Sequence, residues 1–237
     1  MGRFNTRNVP ERDRKPLASG VMGAVLGLLA FMLAFTFGTA AARFAERKQL
    51  VVEESNAIGT AYLRAQLVAE PYSGAVQTLL RSYVDSRLET VAAGLAKDAK
   101  RMERALADAG VTHARMWSQV VELSRKHPDS VTVGLLTSAV NDVIDLHAKR
   151  VAVGLHNRIA PSIWMTIYFV AIMAMALAGY ETGFSARRGT LATLVLVMAF
   201  SAVVLLIIDL DRPAQTMFSV DQRAMIDLQE SFKKPSP

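Results

Sequence analysis

Apolar and polar positions are patterned on two scales along this chain. On the coarse scale, three charge-free apolar runs, Leu17–Ala42, Ser162–Tyr180 and Leu191–Ile208, are separated by polar sequence. The first covers 26 residues, roughly 39 Å as a helix at about 1.5 Å per residue. That exceeds a hydrocarbon core of about 30 Å, so it crosses a bilayer with some tilt. The other two are also long enough. On the fine scale, the polar stretch between the first and second runs keeps a helical period, and no alternating strand pattern survives. The pattern predicts an all-α integral membrane protein with three transmembrane helices and a long-helix bundle inserted between the first and second.

Prolines, glycines and charges mark the boundaries. Residues 1–16 read as a basic tail, 17–42 as the first span and 43–160 as the polar bundle. The second span is 161–181, a short basic turn 182–190, the third span 191–208, and the C-terminal tail 209–237. The first helix should run on past the bilayer to Glu70-Pro71, because the residue before proline is pushed out of the α region. A second helix is predicted from Ser73 to Ala109, stopped at Gly110, and a third from Thr112 to Lys126. Asp129 or Ser130 should cap a fourth, running to Arg158. Pro161 either starts a helix or kinks one. The first apolar run far exceeds the roughly 7–15 residues of a cleaved signal core, so it is expected to stay as an anchor.

Charge sharpens this picture. The chain has 237 residues, 51% hydrophobic, and a net charge of +6. Five basic residues (Arg3, Arg7, Arg12, Arg14, Lys15) precede the first span, and Arg187 and Arg188 sit in the short turn. Basic residues so placed flank a membrane rather than bind nucleic acid. Within the insert they alternate with acids at helical spacing, as on a solvated face. The bias puts the N-terminus and short turn in the cytoplasm, and the insert and tail outside the cell membrane. Arg43, Arg47 and Lys48 pull the other way. With no cysteine there is no disulfide, thiolate metal site or thiol nucleophile. No serine has a convincing neighbouring base and no glycine-rich phosphate loop exists, so neither an enzyme nor a cofactor is expected.

Candidate functional residues fall into four groups. Glu53, Asn56, Thr60 and Arg64 share a stripe on the first insert helix, Glu53 and Arg64 lying about 20° apart at 100° per residue. They read as a polar path for ions or a recognition face, or as a hydrogen-bonded network inside a helix bundle. Asn141 and Asp145 share a face of the fourth helix with Lys149 and His156, while His147 and Arg150 lie to another side. No zinc-like spacing links these residues, so no metal is expected. Arg81 and Asp85, four apart, read as a surface pair. Asp209, Asp211 and Arg212 form a membrane-exit turn before Pro213. Finally, Gly23, Gly27, Ala30, Ala34 and Gly38 make a small-residue stripe suited to helix packing within or between subunits.

Four segments carry a family resemblance: VVEESNAIGTAYLRAQL (Val51–Leu67), RSYVDSRLE (Arg81–Glu89), VIDLHAKRVAVGLHNRIAP (Val143–Pro161) and LDRP (Leu210–Pro213). The chain resembles the bestrophin-like family from about Gly20 to Gln229. The resemblance implies a multi-pass membrane protein, with ion transport suggested through a distant relation to bestrophin anion channels. It also implies a further apolar helix ahead of the basic segment, absent here, so a shortened member is expected. Thr216 stands where the family pattern has glycine, and Ala224 where it has proline. No calcium-clasp run and no pore residue carries over. The expected function is ion conduction or transport by a homo-oligomer in the lipid bilayer, with a small inorganic ion as substrate. The competing expectation is a non-conducting scaffold or sensor whose insert binds a protein or envelope partner.

Overall fold

The computed structural model describes residues 11–156, 158–182, 189–211 and 220–233. Seven α-helices and no strand occur among them: α1 (Glu11–Ala65), α2 (Tyr72–Leu95), α3 (Ala99–Lys126), α4 (Val131–Val151), α5 (Pro161–Thr182), α6 (Gly189–Asp211) and α7 (Arg223–Ser231). One π-helical turn, Ala152–His156, extends α4. The chain divides into two compact units, Met1–Ala41 with Ile159–Asp211, and Ala42–Arg158 with Arg212–Pro237. Helix α1 supplies its first part to one unit and its second part to the other.

In the first unit, α1, α5 and α6 pack through Leu29, Leu33, Ile167, Val170, Ala174 and Ile207. All three are long and apolar enough to cross a membrane, and only 17%, 22% and 11% of their most apolar stretches is buried within the chain. Phe31, Phe35, Phe169 and Met198 point outward. Such a surface suits lipid tails, not water. Pro161 starts α5 rather than kinking α4, its missing N–H falling where a helix has no internal partner anyway. The loop before it is pinned by Asp211, whose carboxylate oxygens accept the Ile159 amide at 3.2 and 3.4 Å.

In the second unit, α2, α3, α4, α7 and the end of α1 enclose one apolar core around Ile58, Val76, Leu80, Met116, Leu136 and Met225. Helix α7 belongs to this bundle, not to a loose tail. Met225 is fully buried, Ser55 donates to the Ala224 carbonyl at 2.8 Å, and Phe232 stacks on Tyr62.

Four predicted helix boundaries move, among them the end of the fourth helix, where α4 stops at Val151 and its π-helical turn at His156 rather than at Arg158. Helix α1 stops at Ala65, not Glu70, because its last turn tightens through Gln66–Leu63 and Leu67–Arg64 bonds of 3.1 Å. The predicted second helix breaks at Lys97 and runs straight through Gly110. At the break, the Asp98 amide reaches back to the Ala93 carbonyl at 3.0 Å and Lys97 takes a φ of 56°. This is a glycine-type helix end built with lysine, so the usual signal is missing. Asp98 then caps α3 by accepting the Arg101 amide at 3.0 Å. Gly110 is exposed in mid-helix, where it costs only about 1 kcal/mol relative to alanine. Of the two expected caps, Asp129 and Ser130, it is Ser130 that caps α4, accepting the Val133 amide at 3.5 Å.

Candidate functional site

The buried face of α1 beyond Lys48 reads Leu50, Val51, Glu54, Ser55, Ile58, Ala61, Tyr62 and Ala65. Glu54 thus stands at an apolar-stripe position and is fully buried. On α2 the same holds for Arg87, one turn after Tyr83 on the stripe of Val76 and Leu80. Helix α3 adds His113, and α4 adds His147 and Arg150. An ionised carboxylate without partners would be far too costly at such a depth, and the bundle surrounds it with donors.

The Arg150 Nη1 donates to Glu54 Oε2, and the Arg87 Nε lies 3.3 Å from Oε1. The Tyr83 hydroxyl also donates to Oε1. That hydroxyl has a single proton, already given to Glu54, so the His147 Nδ1 contact at 3.0 Å must run from an Nδ1–H to the phenol oxygen. His113 packs between Tyr83 and His147, with ring centroids 4.6 and 4.7 Å away. Its buried Nε2 has no hydrogen-bond partner among the described residues.

Electrostatics follow from this geometry. Burial pushes the Glu54 carboxyl up, but Arg87 and Arg150, with hydrogen bonds from Tyr83 and Arg150, outweigh it and hold it below the usual carboxylate range. Burial and the Glu54 charge push the Tyr83 phenol up, so it remains a donor. Burial drives both His113 and His147 down to about 4, helped in each case by the Arg87 charge. At neutral pH the cluster therefore holds two guanidiniums, one carboxylate and two neutral imidazoles.

Beside it lies a cavity of about 170 Å³. Among the described residues Arg47, Arg87 and Arg150 reach its wall and no acidic side chain does, and the remainder is mostly apolar, with Val91, Leu95 and Leu106.

The residues singled out in the sequence are placed as follows. His147 and Arg150 belong to the cluster. Glu53 is half-buried and accepts from Gln49 at 2.7 Å, Asn56 and Thr60 are exposed, and Arg64 donates to the Leu135 carbonyl at 3.0 Å. No hydrogen bond joins any two of these four among the described residues. Asn141 donates to Asp145 at 2.8 Å on the outer surface of α4. Arg81 and Asp85 do not pair. Arg81 reaches the Tyr62 hydroxyl, and Asp85 accepts from Gln229 at 2.6 Å, because α7 and α1 present better-placed partners. Asp209 is half-buried and Asp211 buried, whereas Arg212 lies outside the described residues. Gly23, Gly27 and Gly38 face open space, and Ala30 and Ala34 edge an apolar groove shared with Phe200 and Val203 of α6. No three His, Asp or Glu side chains converge as metal ligands among the described residues.

Sequence reasoning missed Glu54, Tyr83, Arg87 and His113. The available signal was a charged residue in register with an apolar stripe, at Glu54 and Arg87. The neighbouring Glu53 drew attention because its own stripe is polar. Five of the six cluster residues lie in the segments Val51–Leu67, Arg81–Glu89 and Val143–Pro161.

No curated protein and no solved structure matches this chain. A family model described as a bestrophin-like domain matches residues 3–225.

Proposed function

The chain belongs to the bestrophin-like domain family, and on that premise we propose that it is a homo-oligomeric plasma-membrane protein that passes small inorganic anions. The observation that supports this best is the charge balance of the cluster. Two arginines share one buried carboxylate, so the interior of the membrane-anchored bundle is cationic, and a cationic interior favours anions. The uncovered glycine face of α1 supports assembly, since small residues let membrane helices approach closely. In this reading the stripe through Glu53, Asn56, Thr60 and Arg64, exposed at Asn56 and Thr60, lines the route where copies meet, and the N-terminus is cytoplasmic.

Reconstitution of the full chain into liposomes tests this. Flux above that of empty vesicles, with chloride permeating better than sodium, is expected. Flux no greater than in empty vesicles removes the transport reading. Glu53→Gln and Arg64→Gln should shift ion preference if the stripe lines the route, and unchanged selectivity in both makes it structural. The second reading, a non-conducting sensor, is favoured by the arginine-lined cavity within the bundle, and absent flux together with ligand binding would select it.

A further inference from the structure

Arg87 is 5% exposed, yet among the described residues its only charge contact is the 3.3 Å approach of Nε to Glu54. That Nε makes no hydrogen bond, and no hydrogen bond from its terminal nitrogens is found among the described residues. A buried guanidinium carries five donors in a fixed fork, and buried donors are ordinarily satisfied. Glu54 does not supply the missing acceptors in this geometry: its oxygens take Tyr83 and Arg150, and the Arg87 Nε comes to 3.3 Å from Oε1 without forming a hydrogen bond. The side chain forms part of the wall of the 170 Å³ cavity. One polar group, nine-tenths buried and without hydrogen-bond partners among the described residues, thus lies on the wall of a space that no described acidic side chain lines.

The rest of the wall defines what would fit. Val91, Leu95, Met102, Leu106 and Val151 give it an apolar lining, which a hydrated chloride or phosphate would leave unused. An apolar protein cavity of about 150 Å³ takes up a molecule of benzene size. A ligand there needs an apolar body of that scale and an anionic end that takes a guanidinium fork in bidentate fashion, as a carboxylate does.

We propose that this cavity is a binding site for a small amphiphilic monocarboxylate, with Arg87 holding the carboxylate and the walls formed by α2, α3 and α4 holding the apolar body. The ligand's charge neutralises the cationic excess of the Arg87–Glu54–Arg150 group, so binding stabilises the bundle. The site does not depend on ion passage, and a chain that shows no flux would still bind.

The test is equilibrium dialysis of the full chain in lipid nanodiscs, with empty nanodiscs subtracted. The probes are benzoate and hexanoate, compared with benzyl alcohol, acetate, chloride, inorganic phosphate and decanoate. Saturable binding of benzoate and hexanoate is expected, at least tenfold tighter than benzyl alcohol (no charge) or acetate (no body). Arg87→Met should weaken benzoate at least tenfold while leaving a one-to-one Glu54–Arg150 pair to hold the fold. Should Arg87→Met fail to fold, Leu106→Trp fills the cavity without touching the cluster, and binding should be lost. Equal binding of benzyl alcohol, or unchanged benzoate affinity in a folded Arg87→Met or Leu106→Trp, overturns the proposal. Chloride or phosphate binding as tightly as benzoate overturns it in favour of an inorganic-anion site. Affinity that climbs through decanoate overturns it in favour of a fatty acyl chain drawn from the membrane.

Discussion

Glu54 and Arg150, 96 positions apart, form an ion pair in which the carboxylate is fully buried and the guanidinium nearly so. The pair ties α1 to α4, and Arg87 from α2 closes on the same carboxylate. Each cation depends on that one anion, so its loss is worse than the loss of either cation. Glu54→Gln leaves two buried guanidiniums facing each other, and breaking a buried pair this way costs about 3–5 kcal/mol. Arg87→Met leaves a one-to-one pair and should cost clearly less. Chemical denaturation followed by circular dichroism should rank Glu54→Gln as the less stable variant, and the reverse order would show that Glu54 is not the centre of the cluster.

The two histidines set a pH dependence of definite sign. Both His113 and His147 are held down to about 4 in the fold, against an ordinary value near 6.5. They face Glu54, Tyr83, Arg87 and Arg150, and stay neutral while the unfolded chain takes up protons below pH 6.5. The unfolded state then binds more protons, so stability is complete above about pH 6.5 and falls as pH drops towards 4. The Glu54 carboxyl, held low, adds its own loss only at more acidic pH. Unfolding midpoints measured from pH 7 to pH 4 should fall in the wild type and fall less steeply in a His113→Gln/His147→Gln double variant. Parallel slopes would mean the histidines titrate normally.

What could be read from the sequence divides along physical lines. The all-helical class and the three spans follow from long charge-free runs, whose meaning needs no tertiary context. A cap at Asp129 or Ser130 and a start or kink at Pro161 follow from local backbone chemistry, and the fold selects Ser130 and the helix start. The break at Lys97 did not follow from it, because its left-handed residue is not a glycine. A third of the cluster was legible. His147 and Arg150 stood out on a helix face of mixed character, but Glu54 was masked by Glu53, one residue and about 100° away. Arg87 and His113 gain their meaning only when α2 and α3 are folded against α1, which no local pattern specifies.

Helix α7 should be a structural part of the bundle. Met225 is fully buried and the helix is tied on by Ser55 and Gln229. Truncating a buried methionine to alanine costs about 2–5 kcal/mol, through lost burial and the cavity left behind. Met225→Ala should therefore lower the unfolding midpoint and raise trypsin cleavage within the bundle. Ile226→Ala, on the exposed side of the same helix, should leave both near wild type. Equal effects from the two would show that α7 is not docked in solution.

Because α7 packs in the same unit as the insert, the chain between residues 158 and 212 must cross the membrane an even number of times. With two crossings from α5 and α6 and one from α1, the expected arrangement puts the N-terminus and the short basic turn on the side opposite the bundle and α7. The absence of native cysteine makes this directly measurable. Single cysteines at Ser118 in α3 and Ser231 in α7, both exposed, should react alike with a membrane-impermeant maleimide on intact cells, and one at Ser185 in the turn should behave oppositely. The basic bias places Ser185 inside, so labelling of Ser118→Cys and Ser231→Cys but not Ser185→Cys is the expected outcome. The reverse labelling would invert the orientation while keeping the three-span fold. Different labelling at Ser118 and Ser231 would contradict the fold, because one compact unit cannot present its surface on both sides of a bilayer.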